Sequence, residues 1–312
     1  MSVKILIALQ TFAEHDDLPL RLLNNAGVEI RFNDRHHRLV KEEIVELGEE
    51  CQGIVAGVEP YDKWVLDRLP KLKCLSRCGV GVDNIDLIEA KNRNLSVLNT
   101  PNVVIQPVAE MAVAMTFDLL RFLTVNTNNL RSGNWKKVTG GLLAGRKVGI
   151  VGLGRIGKRA AEMFKALNAE VMGYDLFPDK AWLNKAAVKL VSLDELLAGS
   201  DIVSLHVSLA KDAPFTLGKQ QLAKMKNGAL LINTSRGQMI DEQALYEALK
   251  SGHIGGAGLD VFSQEPYVGK LRELDNLVMT PHVSTLTLES RAQMEREAVE
   301  NILNYFGLPV ES

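Results

Sequence analysis

Cysteine is scarce: the 312 residues hold three, Cys51, Cys74 and Cys78. The number is odd, no Cys-x-x-Cys pair occurs and no secretory signal precedes them, so a disulfide framework is excluded and reduced thiols in a cytoplasmic protein are expected. Long apolar runs are missing too. The opening VKILIALQ is too short for a signal-peptide core or a membrane span, and charged residues follow it in place of a cleavage site, so no membrane partner is expected. Charge of one sign is also missing. A formal net charge of -2 with interspersed signs leaves no basic stripe for nucleic acid and makes small-molecule chemistry the default. The one local basic cluster, RHHR from Arg35 to Arg38, reads as a polar loop with solvated His36 and His37 rather than metal ligands, and no metal is expected. Aromatic residues make up 5%, and no repeat or low-complexity segment appears.

What is present is glycine in a particular place. VGLGRIGKR sets Gly152, Gly154 and Gly157 between the β-branched run KVGIVG and the helical spacing of Ile156, Ala160, Met163, Phe164 and Leu167. Glycines alone are weak evidence, but strand, turn and helix follow in the order a dinucleotide fingerprint needs. Residues without Cβ atoms let the backbone approach a pyrophosphate, whose charge is then met by free N–H groups at the helix start. A second strand, AEVMGYD, closes on Asp175, where a carboxylate accepts from a ribose diol and repels a ribose phosphate, so NAD is favoured over NADP.

The rest of the chain repeats this rhythm. Up to about Asn99, short strands (KILIAL, VEIRF, GIVAG, LKCLSR, LSVLN) alternate with helical segments, which predicts a parallel sheet covered on both faces. Thr100, Pro101 and Asn102 break the pattern, and one long helix is expected over 104–131. A second series follows: EVMGYD, IVSLHV, ALLINTS, GGAGLDV and LVMTP. The last helix, about 288–306, has no strand of its own and is expected to return to the first domain, with hinges near Pro101 and Pro281. The expected fold class is therefore α/β with two doubly wound parallel sheets. A Rossmann NAD-binding domain, 101–282, is inserted in a flavodoxin-like substrate domain made of 1–100 and 283–312.

Such sheets hold ligands at the carboxyl ends of their strands. Four residues there invite chemistry: Arg236 after LLINTS, Asp260 in GLDVF, Glu265 before Pro266 and His282 after VMTP. A guanidinium matches both oxygens of a carboxylate, and a histidine whose other nitrogen meets a glutamate is fixed in one tautomer and favoured in its protonated form. Together they describe exchange between a 2-hydroxy acid and a 2-keto acid. Each has a plainer reading: Arg236 as a partner of Asp241, Asp260 as a turn former, His282 as a loop residue. His206, in SLHVS, reads as a hydrogen-bonded histidine near the cofactor rather than an acid or base.

These segments in this order, VGLGRIGKR with Asp175, NTSRGQMIDEQALYEAL, GGAGLDVFSQEP and TPHVS, resemble the NAD-dependent D-2-hydroxyacid dehydrogenases over nearly the whole chain. The resemblance implies a catalytic trio of Arg236, Glu265 and His282, with His282 as proton donor to the keto oxygen. It implies that Asp260 contacts the nicotinamide amide, that Thr234 and Ser235 line the cofactor with His206 and Val207, and that Arg155 and Ile156 meet the pyrophosphate. Formate dehydrogenases of this fold pair the histidine with glutamine, whereas glutamate stands directly before Pro266 here. SRCGVGVDNID resembles the family's substrate loop, with Arg77, Val80 and Gly81 at the substrate and carboxylate-binding N–H groups at the last two. Within the family the chain looks most like short phosphoglycerate dehydrogenases without a regulatory domain, since it ends at Ser312, although AGVEPYD carries no arginine for a phosphate. The alternatives are a glyoxylate/hydroxypyruvate or D-lactate type reductase and, in another class, an NAD-sensing corepressor-like protein.

Three departures stand out: Ser208 in place of a proline, the stretch AKDAPFTLGK, and HVSTLT without the small residues common after the histidine. Finally, VAEMAVAMTFDLLRFL is apolar over more than one helical face. Something must cover it, and a homodimer is the expectation.

Overall fold

In the computed structural model, residues 2–207 and 215–311 are described; Ser208 and the first half of AKDAPFTLGK lie outside them. The chain divides into two compact units, Met1–Val104 with Leu286–Ser312, and Ile105–Thr285.

The first unit holds strands β1 (Lys4–Ile7), β2 (Glu29–Phe32), β3 (Gly53–Ala56), β4 (Cys74–Arg77) and β5 (Ser96–Asn99). They pair in parallel in the order β2-β1-β3-β4-β5. Ile5, Leu6 and Ile7, and Ile54, Val55 and Ala56 are wholly buried, as strands covered on both faces require. The helix Leu288–Tyr305 does return to this unit: it packs on β3, β4 and β5 and on the helix Leu18–Asn25, burying Ala298, Val299, Ile302 and Leu303.

The second unit continues with β6 (Lys147–Val151), β7 (Glu170–Tyr174), β8 (Lys189–Leu190), β9 (Ile202–Leu205), β10 (Ala229–Asn233), β11 (Ile254–Leu259) and β12 (Leu277–Met279). They pair in parallel in the order β12-β11-β10-β9-β6-β7-β8. The chain reverses its direction of travel across the sheet between β6 and β9, which are neighbours. In doubly wound sheets the crevice for a ligand opens outside the carboxyl ends of two such strands.

The long helix expected over 104–131 is two helices, Ile105–Arg121 and Leu123–Arg131. Phe122 between them takes a left-handed conformation, φ 51°. The Asp118 carboxylate accepts from the Thr124 amide at 2.8 Å and its hydroxyl at 2.5 Å, so a side chain in the last turn of the first helix caps the second.

The first helix also does not need a second subunit to cover it. It packs on the helix Arg155–Ala166 and on β10, β11 and β12 of its own unit, burying Val108, Ala109, Ala112, Val113, Met115, Leu119 and Leu120. The uncovered apolar side chains come later: the helix Leu123–Arg131 buries none of its residues, and Leu123, Leu130, Trp135 and Leu142 are 54%, 59%, 81% and 71% exposed.

Candidate active site

The glycine loop after β6 can be dissected atom by atom. Gly152 has φ +93°, and a Cβ there would come within 2.7 Å of the His206 carbonyl oxygen. A Cβ on Gly157 would overlap the Gly152 carbonyl oxygen, so this glycine lets the helix Arg155–Ala166 sit against the loop. Gly154 is different. Its φ of -69° suits any residue, and a Cβ there would meet no protein atom within 4 Å. The protein has no steric use for that glycine, whereas a pyrophosphate lying on the loop does. Gly154 also opens the helix without a side-chain cap, leaving the first amides for a ligand. Arg155 and Ile156 are the first two residues of that helix.

Asp175 follows β7 directly. One of its oxygens accepts from Leu153 N at 2.6 Å and the other from Phe177 N at 2.7 Å, so the carboxylate ties the glycine loop to the end of the next strand.

Across the switch point, after β9, His206 donates its amide to Val151 O, and its Nε2 lies 2.9 Å from Ser204 Oγ. Burial pushes its pKa down to about 4, so the ring is neutral at neutral pH and is no acid there. Its Nδ1 and the hydroxyl of Thr234, after the adjacent β10, are buried polar atoms with no partner among the described residues. Val207 stands beside His206 at the same edge, its Cγ1 2.9 Å from where a Gly152 Cβ would be. Two orphaned polar atoms and a cradle with room for a phosphate fit a nucleotide cofactor.

Arg236 is set by a buried asparagine that the sequence reading passed over. Asn233 Oδ1 accepts from the amide and hydroxyl of Ser235, and its Nδ2 donates to Arg236 O at 2.9 Å. The guanidinium donates to Ser235 O. Gly237 then lies so close to the backbone of Phe262 and Ser263 that a Cβ would overlap it. That contact seats the Arg236 loop on the segment leading to Glu265.

Glu265 and His282 are brought together. Glu265 Oε1 accepts from Phe262 N at 3.1 Å, while Oε2 lies 2.9 Å from His282 Nδ1. The pair is half exposed, 38% and 46%. His282 has φ +56°, a conformation that costs a non-glycine residue about 1–3 kcal/mol unless its surroundings enforce it.

Asp260 enforces it. The wholly buried Asp260 carboxylate is bonded to the turn after β12. Its Oδ1 accepts from the Thr280 hydroxyl and Val283 N, its Oδ2 from the amide and hydroxyl of Ser284, at 2.5–2.9 Å. These four donors match the four lone-pair sites of a carboxylate. Thr280 and Ser284 were missed because their role is to satisfy a buried charge, which leaves no periodic or spacing signal.

The proposed substrate-loop residues belong to the other unit. Arg77 ends β4 and its Nη1 donates to Cys78 O; Val80 O accepts from Asn99 Nδ2 at 2.8 Å; Gly81 follows. The three cysteines are free and buried, with Cys74 and Cys78 pushed up to about 12 by burial, which removes any reactive thiolate. Among the described residues no group of three or more His, Cys, Asp or Glu could hold a metal, and no helix is long and apolar enough to cross a membrane. Both ring nitrogens of His37 are engaged, by Arg35 O and Glu43.

Residues 113–284 match the family described as D-isomer specific 2-hydroxyacid dehydrogenase, NAD binding domain. The chain is 38% identical to a glyoxylate reductase of Korarchaeum cryptofilum (strain OPF8) over 85% of its length and 82% of that relative's. It is 37% identical to a D-3-phosphoglycerate dehydrogenase of Archaeoglobus fulgidus over 87% of its own length but 53% of that relative's. Among solved structures, D-lactate dehydrogenase from Aquifex aeolicus, complexed with NAD and lactic acid, superposes with a TM-score of 0.85 at 25% identity, covering 99% of both chains. The chain belongs to the D-2-hydroxyacid dehydrogenase family, whose members are NAD-dependent oxidoreductases.

The two glycines separate binding from folding. Gly154→Ala should melt like the wild type yet weaken NADH binding roughly ten-fold or more, equivalent to about 1.4 kcal/mol, because its methyl group takes ligand space alone. Gly157→Ala should instead destabilise the fold by ~1–3 kcal/mol. Fluorescence titration with NADH and thermal melts of both variants check this, and unchanged NADH affinity in Gly154→Ala would refute the cradle.

Proposed function

We propose that the chain reduces a small, unphosphorylated 2-keto acid of the glyoxylate and hydroxypyruvate class with NADH. The observation that carries the reaction is the 2.9 Å contact between Glu265 Oε2 and His282 Nδ1. With Glu265 on Nδ1, the protonated ring has Nε2 as the nitrogen that gives a proton to the keto oxygen. Arg236 holds the substrate carboxylate and polarises the adjacent carbonyl. Bound NADH supplies the hydride to the carbonyl carbon, so keto acid, hydride and one proton give the hydroxy acid and NAD. The glycine loop, the Arg155–Ala166 helix start, Asp175, His206, Val207, Thr234 and Ser235 hold the cofactor.

The substrate class rests on charge. In the loop after β3, where a phosphate would need cations, Glu59 is 3% exposed and accepts from Gly57 N at 2.7 Å. Burial pushes the Glu59 carboxyl up against the pull of its amide contacts and of Arg38 and Arg77, while Arg38 donates to Val58 O. A phosphate arriving there meets an acid whose neighbouring cations are already engaged. Phosphohydroxypyruvate, which the sequence favoured, is the second reading, supported by the Archaeoglobus relative. A location in a reducing compartment such as the cytoplasm accords with three free, buried thiols.

We also place a second copy of the chain against the helix Leu123–Arg131 and the segment after it, because Leu123, Leu130, Trp135 and Leu142 are each more than half exposed.

With wild-type protein and NADH, glyoxylate or hydroxypyruvate should give higher kcat/KM than 3-phosphohydroxypyruvate; the opposite order overturns the substrate class. His282→Ala should lower turnover by ~10² to 10⁴ fold with NADH binding nearly intact, and wild-type turnover in that variant would end the mechanism. Glu265→Gln replaces the carboxylate that holds Nδ1, so kcat should fall ~10-fold or more with NADH binding nearly intact, and wild-type kcat in that variant would remove Glu265 from the mechanism. Light scattering after gel filtration should return a dimer mass; a monomer at micromolar concentration contradicts the proposed contact.

A further inference from the structure

We propose that Ser284 is a positioning residue for His282, acting through Asp260. Ser284 is 4% exposed and gives the Asp260 carboxylate two donors to one oxygen, its amide at 2.9 Å and its hydroxyl at 2.5 Å. Thr280, on the other side of the histidine, gives the other oxygen its hydroxyl at 2.5 Å, and Val283 N adds a bond at 2.8 Å. Asp260 also accepts the His282 amide on its carbonyl oxygen at 2.9 Å. One wholly buried residue therefore receives five hydrogen bonds from the turn Thr280–Ser284, and the residue in the middle of that turn is the one in the left-handed conformation.

This arrangement does two things at once. A buried carboxylate needs its lone pairs satisfied, and the two hydroxyls complete what the two amides begin. The satisfied carboxylate in turn fixes the Thr280 hydroxyl before His282 and the two amides after it, so the imidazole leaves the backbone in the direction of Glu265. A glycine or alanine at 284 would supply the amide but not the hydroxyl, leaving Asp260 one donor short. The departure HVSTLT is thereby assigned a role: the hydroxyl at this position stiffens the turn that carries the acid.

The inference deepens the reading of His282 as proton donor and rests on it for the kinetic measurement alone. The test uses the full chain as Ser284→Ala, with Ser284→Thr as the variant that restores the hydroxyl. The position of the ring is read by its NMR titration midpoint, assigned with His282→Ala, and Glu265→Gln gives the midpoint of a ring without its carboxylate. Glu265 itself is unchanged in Ser284→Ala, so a midpoint that moves toward that of Glu265→Gln reports a ring that has left Glu265. We expect the Ser284→Ala midpoint to shift toward that of Glu265→Gln. We also expect kcat to fall ~10-fold with little change in keto-acid KM or NADH affinity, in line with small misplacements of a reacting group. Ser284→Thr should recover both. If Ser284→Ala fails to fold, Thr280→Val and Thr280→Ser make the same comparison at the other oxygen. A wild-type midpoint and wild-type kcat in a folded hydroxyl-deleted variant overturn the proposal, even if the melting temperature falls. Absence of turnover in the wild type itself would refute the dehydrogenase reading, while the midpoint would still decide the role of Ser284.

Discussion

Parallel pairing brings the last residue of every strand to the same edge of its sheet, and the chemistry of this chain depends on that constraint. In the seven-stranded sheet, Gly152 follows β6, Asp175 follows β7, His206 follows β9, Thr234 and Arg236 follow β10, Asp260 follows β11 and His282 follows β12. Apart from Thr234 and Arg236, none of these residues is near another in sequence. They meet because each strand must be led back by a crossover before it can pair in the same direction. Two ties then lock neighbouring strand ends: Asp175 holds the β6 loop from the end of β7, and Asp260 holds the β12 turn from the end of β11. In both, a carboxylate just past a strand accepts from an amide in the loop beyond a neighbouring strand, so the same device sets the glycine loop and the turn that carries His282.

Glycine works at this edge in two senses that the sequence does not distinguish. Gly152 and Gly157 are required by protein atoms, the His206 carbonyl and the Gly152 carbonyl respectively, whereas Gly154 is required by none. The fingerprint spacing marks all three alike. Only the structure shows that protein atoms demand two of them and leave the third free of any such demand.

Much of the architecture was legible because it is written in patterns that need no tertiary context. KVGIVG became β6 and ALLINTS became β10 since β-branched, apolar runs bounded by glycine, asparagine and serine fit a strand buried on both faces. The return of the final helix was legible from an unpaired helix following the last strand. What was not legible lies in side chains that act on the backbone. The break at Phe122 follows from the Asp118 carboxylate reaching Thr124, and apolar periodicity carries no trace of that bond. A second subunit was expected over the apolar helix before the break, where its own unit already packs, because periodicity reports that a side is apolar, not which element covers it. Asp260 was read from the company it keeps in the motif; its bonding, decided by Thr280, Val283 and Ser284 some twenty residues on, could not be read there.

The two histidines of this edge show how environment divides one chemistry. His206 has its Nε2 on a serine and its Nδ1 sealed from solvent, and burial holds it neutral with a pKa of about 4. A ring in that state can donate or accept a hydrogen bond to a ligand at neutral pH but has no proton to deliver. His282 sits half exposed on a turn, with a carboxylate at Nδ1 and no comparable burial. Exposure gives it exchange with solvent. The side chain is the same at both positions; burial sets one ring apart and the glutamate contact the other. The neutral ring follows the strand at the switch point, and the half-exposed ring follows the edge strand, held in place by a turn that only the fold can enforce.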